Sequence, residues 1–378
     1  MVENHINYKK WVVKIGSSLV TNNGLGLDLH SMRVWVQQII ELRAMGCQVV
    51  LVSSGAVAEG VSRLGLKQRP TQVHMQQAAA AIGQMGLVRA YEINFAEQAV
   101  LTAQVLLTHD DLADRTRYLN ARSTLSSLLD LGVVPVVNEN DTVATAELCL
   151  GDNDTLSALV ANLINADKIV ILTDQEGLMS ADPTIDENAS LIRSGNANDD
   201  SLMLLAGAGG AFGRGGMKTK LAAAKRAARS GTDTVIANGR QPEVLTKILR
   251  GESIGTKLSA NSEPVTARKQ WLASGIIAKG EIVVDGGAQR ALVDLGKSLL
   301  AVGIKEVSGQ FVRGDLVVCF NDQGIEIARG LVNYNSSEAL QLAGATSDEY
   351  LSVLGYKGDD EIIHRDNLVL AYTIGRYV

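Results

Sequence analysis

The sequence predicts an α/β chain: a three-layer α/β/α sandwich on a mainly parallel sheet, followed by a small β-rich barrel. Three observations predict it. Short aliphatic, β-branched runs alternate with stretches of helical periodicity through most of the chain. Those runs are apolar throughout instead of alternating, as strands buried on both faces are. Beyond residue 262 the pattern changes to short strands punctuated by Gly and Asp turns.

The first strand is "WVVKIG" (11–16). "SMRVWVQQIIELRAMG" (31–46) follows with apolar residues at helical spacing and a stop at Gly46. "CQVVLVSSG" (47–55) is the next strand, then a helix over 71–90 and a strand near 99–107. "LNARSTLSSLLDLG" (119–132) reads as a helix and "VVPVVNEN" (133–140) as a strand. A helix at 155–165, the strand "DKIVILTD" (167–174), the helix "GGMKTKLAAAKRAARSG" (215–231) and the strand "TDTVIANG" (232–239) complete the alternation. "NSEPVTARKQWLASG" (261–275) reads as a connector with a short helix. "GEIVVDGGA" (280–288), "GIKEVSGQFVRGDLVVCF" (303–320) and "GIEIARGLVNYNS" (324–336) supply the β-rich tail. The expected division is 1–262, a linker at 263–279, and 280–378.

Composition narrows the function classes. Apolar residues make up 46% and aromatics only 4%, so the core must be aliphatic. Three cysteines (Cys47, Cys149, Cys319) without CxxC spacing fit a reduced compartment and exclude a disulfide framework or zinc site. The opening "MVENHINYKK" lacks the apolar stretch of a signal peptide, and no run reaches membrane-spanning length, so a cytoplasmic location is expected. Residues 280–378 hold 8 Lys and Arg against 14 Asp and Glu, while the remainder holds 27 of each. The whole excess of acid therefore lies in the tail, which marks it as a separate unit. The five histidines (His5, His30, His74, His109, His364) show no metal-ligand spacing, and neither GxSxG nor HExxH occurs.

In a parallel sheet, ligands bind outside the carboxyl ends of the strands. Lys14, Ser53, Ser54, Asn138, Asn140, Asp141, Thr173 and Asp174 all fall at or just beyond predicted strand ends. Lys14 lies within an apolar strand ahead of Gly16, Ser17 and Ser18; it is either a lysine snorkelling from an edge or a fixed cation beside a phosphate. "GAGGAFGRGGMKTK" (207–220) leads into an alanine-rich helix, where backbone N–H groups and the helix N-terminus suit an anion. Met217 breaks the GxxxxGK(S/T) pattern, and a flexible loop with solvated lysines is the plainer alternative. "GDND" (151–154) offers helix caps. It also offers an aspartate able to hold two lysines through charge-assisted bonds, and Asp141 offers a seat for an ammonium group.

Six motifs in order, "KIGSS", "VVLVSSGAVAEG", "VVPVVNENDTVAT", "GDNDTLSALVA", "ILTDQEGLMSADP" and "GRGGMKTK", resemble those of the glutamate 5-kinases within the amino acid kinase family. The tail resembles the PUA domain that many bacterial members carry. The resemblance runs over essentially the whole chain. It implies transfer of the γ-phosphoryl group of MgATP to the side-chain carboxylate of L-glutamate, giving L-glutamyl 5-phosphate for proline biosynthesis. Carried over by position, it makes Lys14 and Lys220 the catalytic lysines and Asp154 their organiser. Ser54, Gly55, Asn138, Asp141, Asp152 and Asn153 would bind glutamate. Lys14, Gly16, Thr173, Asp174, Arg214, Gly215, Gly216, Met217, Lys218, Thr219 and Lys220 would bind ATP. Arg214 stands where a small hydroxyl residue is common in the family, and no residue is expected to ligate metal directly. The resemblance also implies proline as a feedback inhibitor, a homo-oligomer (dimer or tetramer) and a downstream glutamyl phosphate reductase. The competing readings are a related acyl-phosphate or nucleoside-monophosphate kinase, and an RNA-binding PUA protein. The acidic tail argues against nucleic acid.

Overall fold

The computed structural model describes residues 9–21, 24, 26–144, 153–181, 186, 188–206, 216–260 and 278–371. Its chain divides into two compact units, Met1–Leu112 with Thr124–Pro264, and Ala113–Ser123 with Val265–Val378.

Eight strands build the sheet of the first unit: β1 (Lys9–Ile15), β2 (Cys47–Ser53), β3 (Thr102–Leu107), β4 (Val134–Glu139), β5 (Lys168–Thr173), β6 (Ser194–Asn196), β7 (Asp233–Asn238) and β8 (Thr256–Ser259). Their order is β3-β4-β2-β1-β5-β7-β8-β6. Every pairing from β3 across to β7 is parallel, and only β8 runs against its neighbour β7. The expected sheet is thus present, with β6 and β8 added at one margin. These two are three and four residues long, too short for a periodicity to declare itself. Every expected helix and strand among the described residues of this unit is found, with its ends close to those predicted except that the helix expected over 71–90 runs on to Ala96. The connector expected at 261–275 lies outside the described residues.

Side-chain parity fixes what each strand end shows to each layer. Trp11, Val13 and Ile15 of β1 join one apolar cluster with residues of the helices Leu29–Ala44 and Val73–Ala96. Lys14, one residue out of phase, therefore faces the opposite layer, formed by the helices Asn153–Ile164 and Met217–Ala228. In β2, Val49 and Leu51 belong to the first cluster, so Ser53 shares their face. In β4, Val134 and Val136 do the same, and Asn138 follows them. The sheet ends thus deliver a cation to one face and polar groups to the other.

The second unit carries β9 (Gly280–Val284), β10 (Ile304–Gly309), β11 (Leu316–Phe320), β12 (Glu326–Leu331) and β13 (Leu368–Leu370) in the order β10-β9-β11-β12-β13. All pairings are antiparallel except β9 with β11. Its core is aliphatic, with Tyr334 and Tyr350 edge to face, 5.8 Å between ring centres. Ala113–Ser123, which the sequence reading places within 1–262, groups by its contacts with this unit. The cause is polar. Thr116 Oγ1 donates to the Arg313 carbonyl at 3.0 Å, Ser123 Oγ to Asp359 at 3.1 Å, and Arg122 pairs with Asp366 at 2.9 Å.

Candidate active site

Asp154 lies in the first turn of the helix Asn153–Ile164, where the helix dipole favours a carboxylate. Lys14 Nζ meets its Oδ1 at 2.7 Å. Lys220 Nζ meets its Oδ2 at 3.2 Å, and Thr219 Oγ1 donates to the same oxygen at 2.7 Å. All three charged groups are buried, at 5%, 2% and 4% exposure for Lys14, Asp154 and Lys220. Burial alone would raise the Asp154 carboxyl, but Lys14 and then Lys220 outweigh it and hold it well below the ordinary carboxylate range. Burial, foremost, pulls the Lys220 ammonium below its usual range, against the opposing pull of Asp154. Among the described residues, two lysines share this one buried carboxylate, and Asp174 adds a weaker pull on Lys220. Such a cluster suits a ligand carrying several negative oxygens.

The helix Met217–Ala228 begins at Gly216, whose carbonyl oxygen lies 2.8 Å from Thr219 Oγ1. Met217 is buried and Lys218 exposed, so of the two lysines in this first turn only Lys220 joins the cluster. Arg214, Gly215 and Asp152 lie outside the described residues. Gly16 donates its N–H to the Leu172 carbonyl at 3.0 Å, beside β5. A Cβ on Gly16 would stand 3.2 Å from the Leu172 carbonyl oxygen, a tight approach, and in ordinary contact with Lys14 Nζ at 3.7 Å. Thr173 is buried and donates to the exposed Asp174 at 3.1 Å.

A second polar group adjoins the first through residue 153. Asn153 Nδ2 reaches Ser54 Oγ and Asn138 Oδ1, both at 3.0 Å. Asn138 Nδ2 in turn donates to Gln84 Oε1 at 2.8 Å. Gly55 follows Ser54 with φ of +109°, a left-handed conformation that starts the helix Ala56–Arg63 directly after the strand. Asp141 is 8% exposed, and its Oδ1 has no hydrogen-bond partner among the described residues. Burial, then the charge of Glu139, push its carboxyl up to about 7, with Arg69 pulling the other way. A buried carboxyl so placed would gain from a further cation. Asn153 Oδ1 and Gln84 Nε2 are likewise buried and without partners among the described residues.

Lys14, Asp154, Thr219 and Lys220 therefore converge, as do Ser54, Asn138 and Asn153. Sequence reading missed Gln84, along with Gln77, whose Nε2 holds the Ala144 carbonyl at 3.0 Å. It also missed Tyr91, buried and 2.9 Å from Ser53 Oγ. All three come from the helix Val73–Ala96, and their one signal was polar residues recurring on an otherwise apolar helix.

Known proteins match the chain in two parts, with Ala113–Ser123 inside the first. The Amino acid kinase family profile matches residues 9–238, and the PUA domain profile matches 280–354. Glutamate 5-kinase of Herminiimonas arsenicoxydans is 58% identical over 363 residues, covering 96% of this chain and 98% of the relative. Glutamate 5-kinase of Chromohalobacter salexigens is 57% identical over 362 residues, covering 96% of each. Among solved structures, carbamate kinase from Giardia lamblia bound to AMP-PNP superposes with a TM-score of 0.50 at 16% identity, over 68% of this chain and 99% of its own. At that identity the likeness speaks to fold alone.

Proposed function

The chain belongs to the amino acid kinase family, and from that membership we propose that it phosphorylates the side-chain carboxylate of L-glutamate with ATP, giving L-glutamyl 5-phosphate. The observation that carries this reading is identity of 57–58% to glutamate 5-kinases over 96% of the chain. The product is the first intermediate of proline biosynthesis.

The residues suit the chemistry. A glutamate side chain has a pKa of about 4.3, so the nucleophile arrives ionised and no general base is required. The barrier lies in bringing one anion to another and dispersing charge on the phosphoryl oxygens. Bound ATP would supply the electrophilic phosphorus, and Mg²⁺ accompanying it would supply further positive charge. Lys14 and Lys220, held on opposite oxygens of Asp154, flank the transferring group and neutralise its equatorial oxygens. Asp154 sets their separation and is itself committed to the lysines and Thr219. The N-terminus of the helix Met217–Ala228 faces nucleotide phosphate, with Gly16, Thr173 and Asp174 beside it. Asp152, Arg214 and Gly215, which lie outside the described residues, stay in their proposed roles through the resemblance alone. Asp141 and Asn153 Oδ1, both acceptors short of a donor, receive the substrate ammonium group, while Ser54, Gly55 and Asn138 frame it.

Regulation by proline, assembly into a homo-oligomer, hand-over to a reductase and a cytoplasmic location complete the proposal. Among the described residues no helix is long and apolar enough to cross a membrane. Trapping the acyl phosphate with hydroxylamine, with glutamate, aspartate, acetylglutamate and carbamate compared side by side, tests the central reading. Hydroxamate should form with glutamate far faster than with the others. Preference for another acceptor would overturn it.

A further inference from the structure

Asn138, Asn153 and Ser54 belong to a carboxamide relay whose sense is set by a group that cannot reverse. The backbone N–H of Glu139 donates to Asn138 Oδ1 at 2.9 Å, so that atom is the acceptor end of the amide and Nδ2 the donor end. Asn138 Nδ2 must then face an acceptor, and Gln84 Oε1 stands 2.8 Å away. Asn138 Oδ1 takes its second bond from Asn153 Nδ2 at 3.0 Å, and the same NH₂ reaches Ser54 Oγ at 3.0 Å. With its donors committed on that side, Asn153 is left with Oδ1 as a fixed, buried acceptor. Gln84 is 7% exposed and lies on the helix Val73–Ala96, outside all the motifs of the site.

We infer that Gln84 is a positioning residue for the amino acid substrate: by accepting from Asn138 it holds the relay in one sense, so that Asn153 presents an oxygen to the substrate ammonium group. The inference rests on the glutamate reading and deepens it. Removing the acceptor at 84 leaves a buried donor unpaired in either orientation of Asn138. Reversal of Asn138 would set its NH₂ against both the Glu139 N–H and the Asn153 NH₂. The amides then lose their fixed order, and substrate must restore it on binding.

Two variants test this. Gln84→Met keeps volume and loses the acceptor; Gln84→Glu keeps an acceptor oxygen. Steady-state kinetics with glutamate and ATP varied separately should give Gln84→Met a glutamate KM raised about tenfold, as for one unpaired buried group. Its kcat and ATP KM should stay within about twofold, because the phosphoryl end of the site is untouched. Gln84→Glu should remain within about threefold of the parent glutamate KM. An unchanged glutamate KM in Gln84→Met, equal losses in the two variants, or a parallel fall in kcat and ATP affinity would each overturn the inference. Should Gln84→Met fail to fold, Gln84→Ala is read in the same way. A parent chain that makes no acyl phosphate from glutamate sinks the glutamate reading itself. A parent that does, with its KM indifferent to residue 84, sinks this inference alone.

Discussion

Lys14 and Lys220 are separated by two hundred residues of chain yet grip one carboxylate, and neither has water to fall back on. Buried charge of this kind is costly unless it is matched, so the cluster is held for a ligand more than for stability. Replacing either lysine by alanine should lower turnover by on the order of 10²-fold or more, as for the loss of one transition-state donor. Hydroxamate assays at saturating substrates measure this, and near-normal turnover in both variants would remove the mechanism. Asp141 makes a pH prediction. Its folded pKa of about 7 lies above the ordinary aspartate value, so it is protonated in the free protein at acid pH. An ammonium ligand needs it ionised. The apparent glutamate KM should therefore rise as pH falls below 7, and Asp141→Asn should raise the KM at all pH values and flatten that limb. The linked stability has the opposite sign. A raised pKa contributes stability at low pH that is lost as pH climbs through the folded value, so Asp141→Asn should gain thermal stability relative to the parent between pH 5 and pH 8. Lys14 was legible in the sequence because a lysine inside an apolar strand breaks a pattern. Gln84 was not, since a glutamine on a helix breaks none until parity turns Asn138 toward it.

Elements place these residues through close backbone contact. The helices Ala56–Arg63 and Val73–Ala96 meet at Gly60 and Gly83. A Cβ on Gly60 would fall inside the Ala79 carbonyl, and one on Gly83 inside the Ala56 carbonyl, so neither position tolerates a side chain without the helices parting. Gln77, Gln84 and Tyr91 ride on the second helix, and Ser54 and Gly55 lead into the first. Gly83→Ala should therefore destabilise the protein by a few kcal/mol, as overpacking does, and raise the glutamate KM more than the ATP KM. Denaturant melts and separate substrate titrations would check both; a stable variant with an unaltered glutamate KM would show that the contact does not position the site. The helix Ala56–Arg63 escaped sequence reading for the same reason that it packs so tightly. It is eight residues long and carries Gly60 in its middle, which weakens helix propensity while permitting the approach. The parallel strands were legible because burial on both faces writes an unbroken apolar run, whereas β6 and β8 are too short to write anything.

At the scale of the whole molecule the change of pattern after 262 and the acid excess from 280 announced a second unit. The inclusion of Ala113–Ser123 was invisible, because it depends on side chains more than two hundred residues apart in sequence finding one another. Arg122 is 8% exposed and pairs with Asp366 and Asn367, so Arg122→Ala should remove both contacts and destabilise that unit by about 1–3 kcal/mol. The match of 280–354 to the PUA domain profile raises the question of RNA, and charge decides it. Counterion release drives nucleic-acid binding in proportion to the phosphates neutralised by Lys and Arg. Residues 280–378 carry 8 such groups against 14 acids, and Lys305, Arg313 and Arg329 are already engaged with Asp322, Asp359 and Glu326. Few cations remain to meet a backbone, and the field around them is repulsive. Filter binding of the full chain to tRNA should therefore detect no saturable association even at low salt, where electrostatic attraction is greatest. Tight binding that weakened steeply with added salt would show instead that a local basic face overrides the net charge, and the tail would then have to be read as an RNA module.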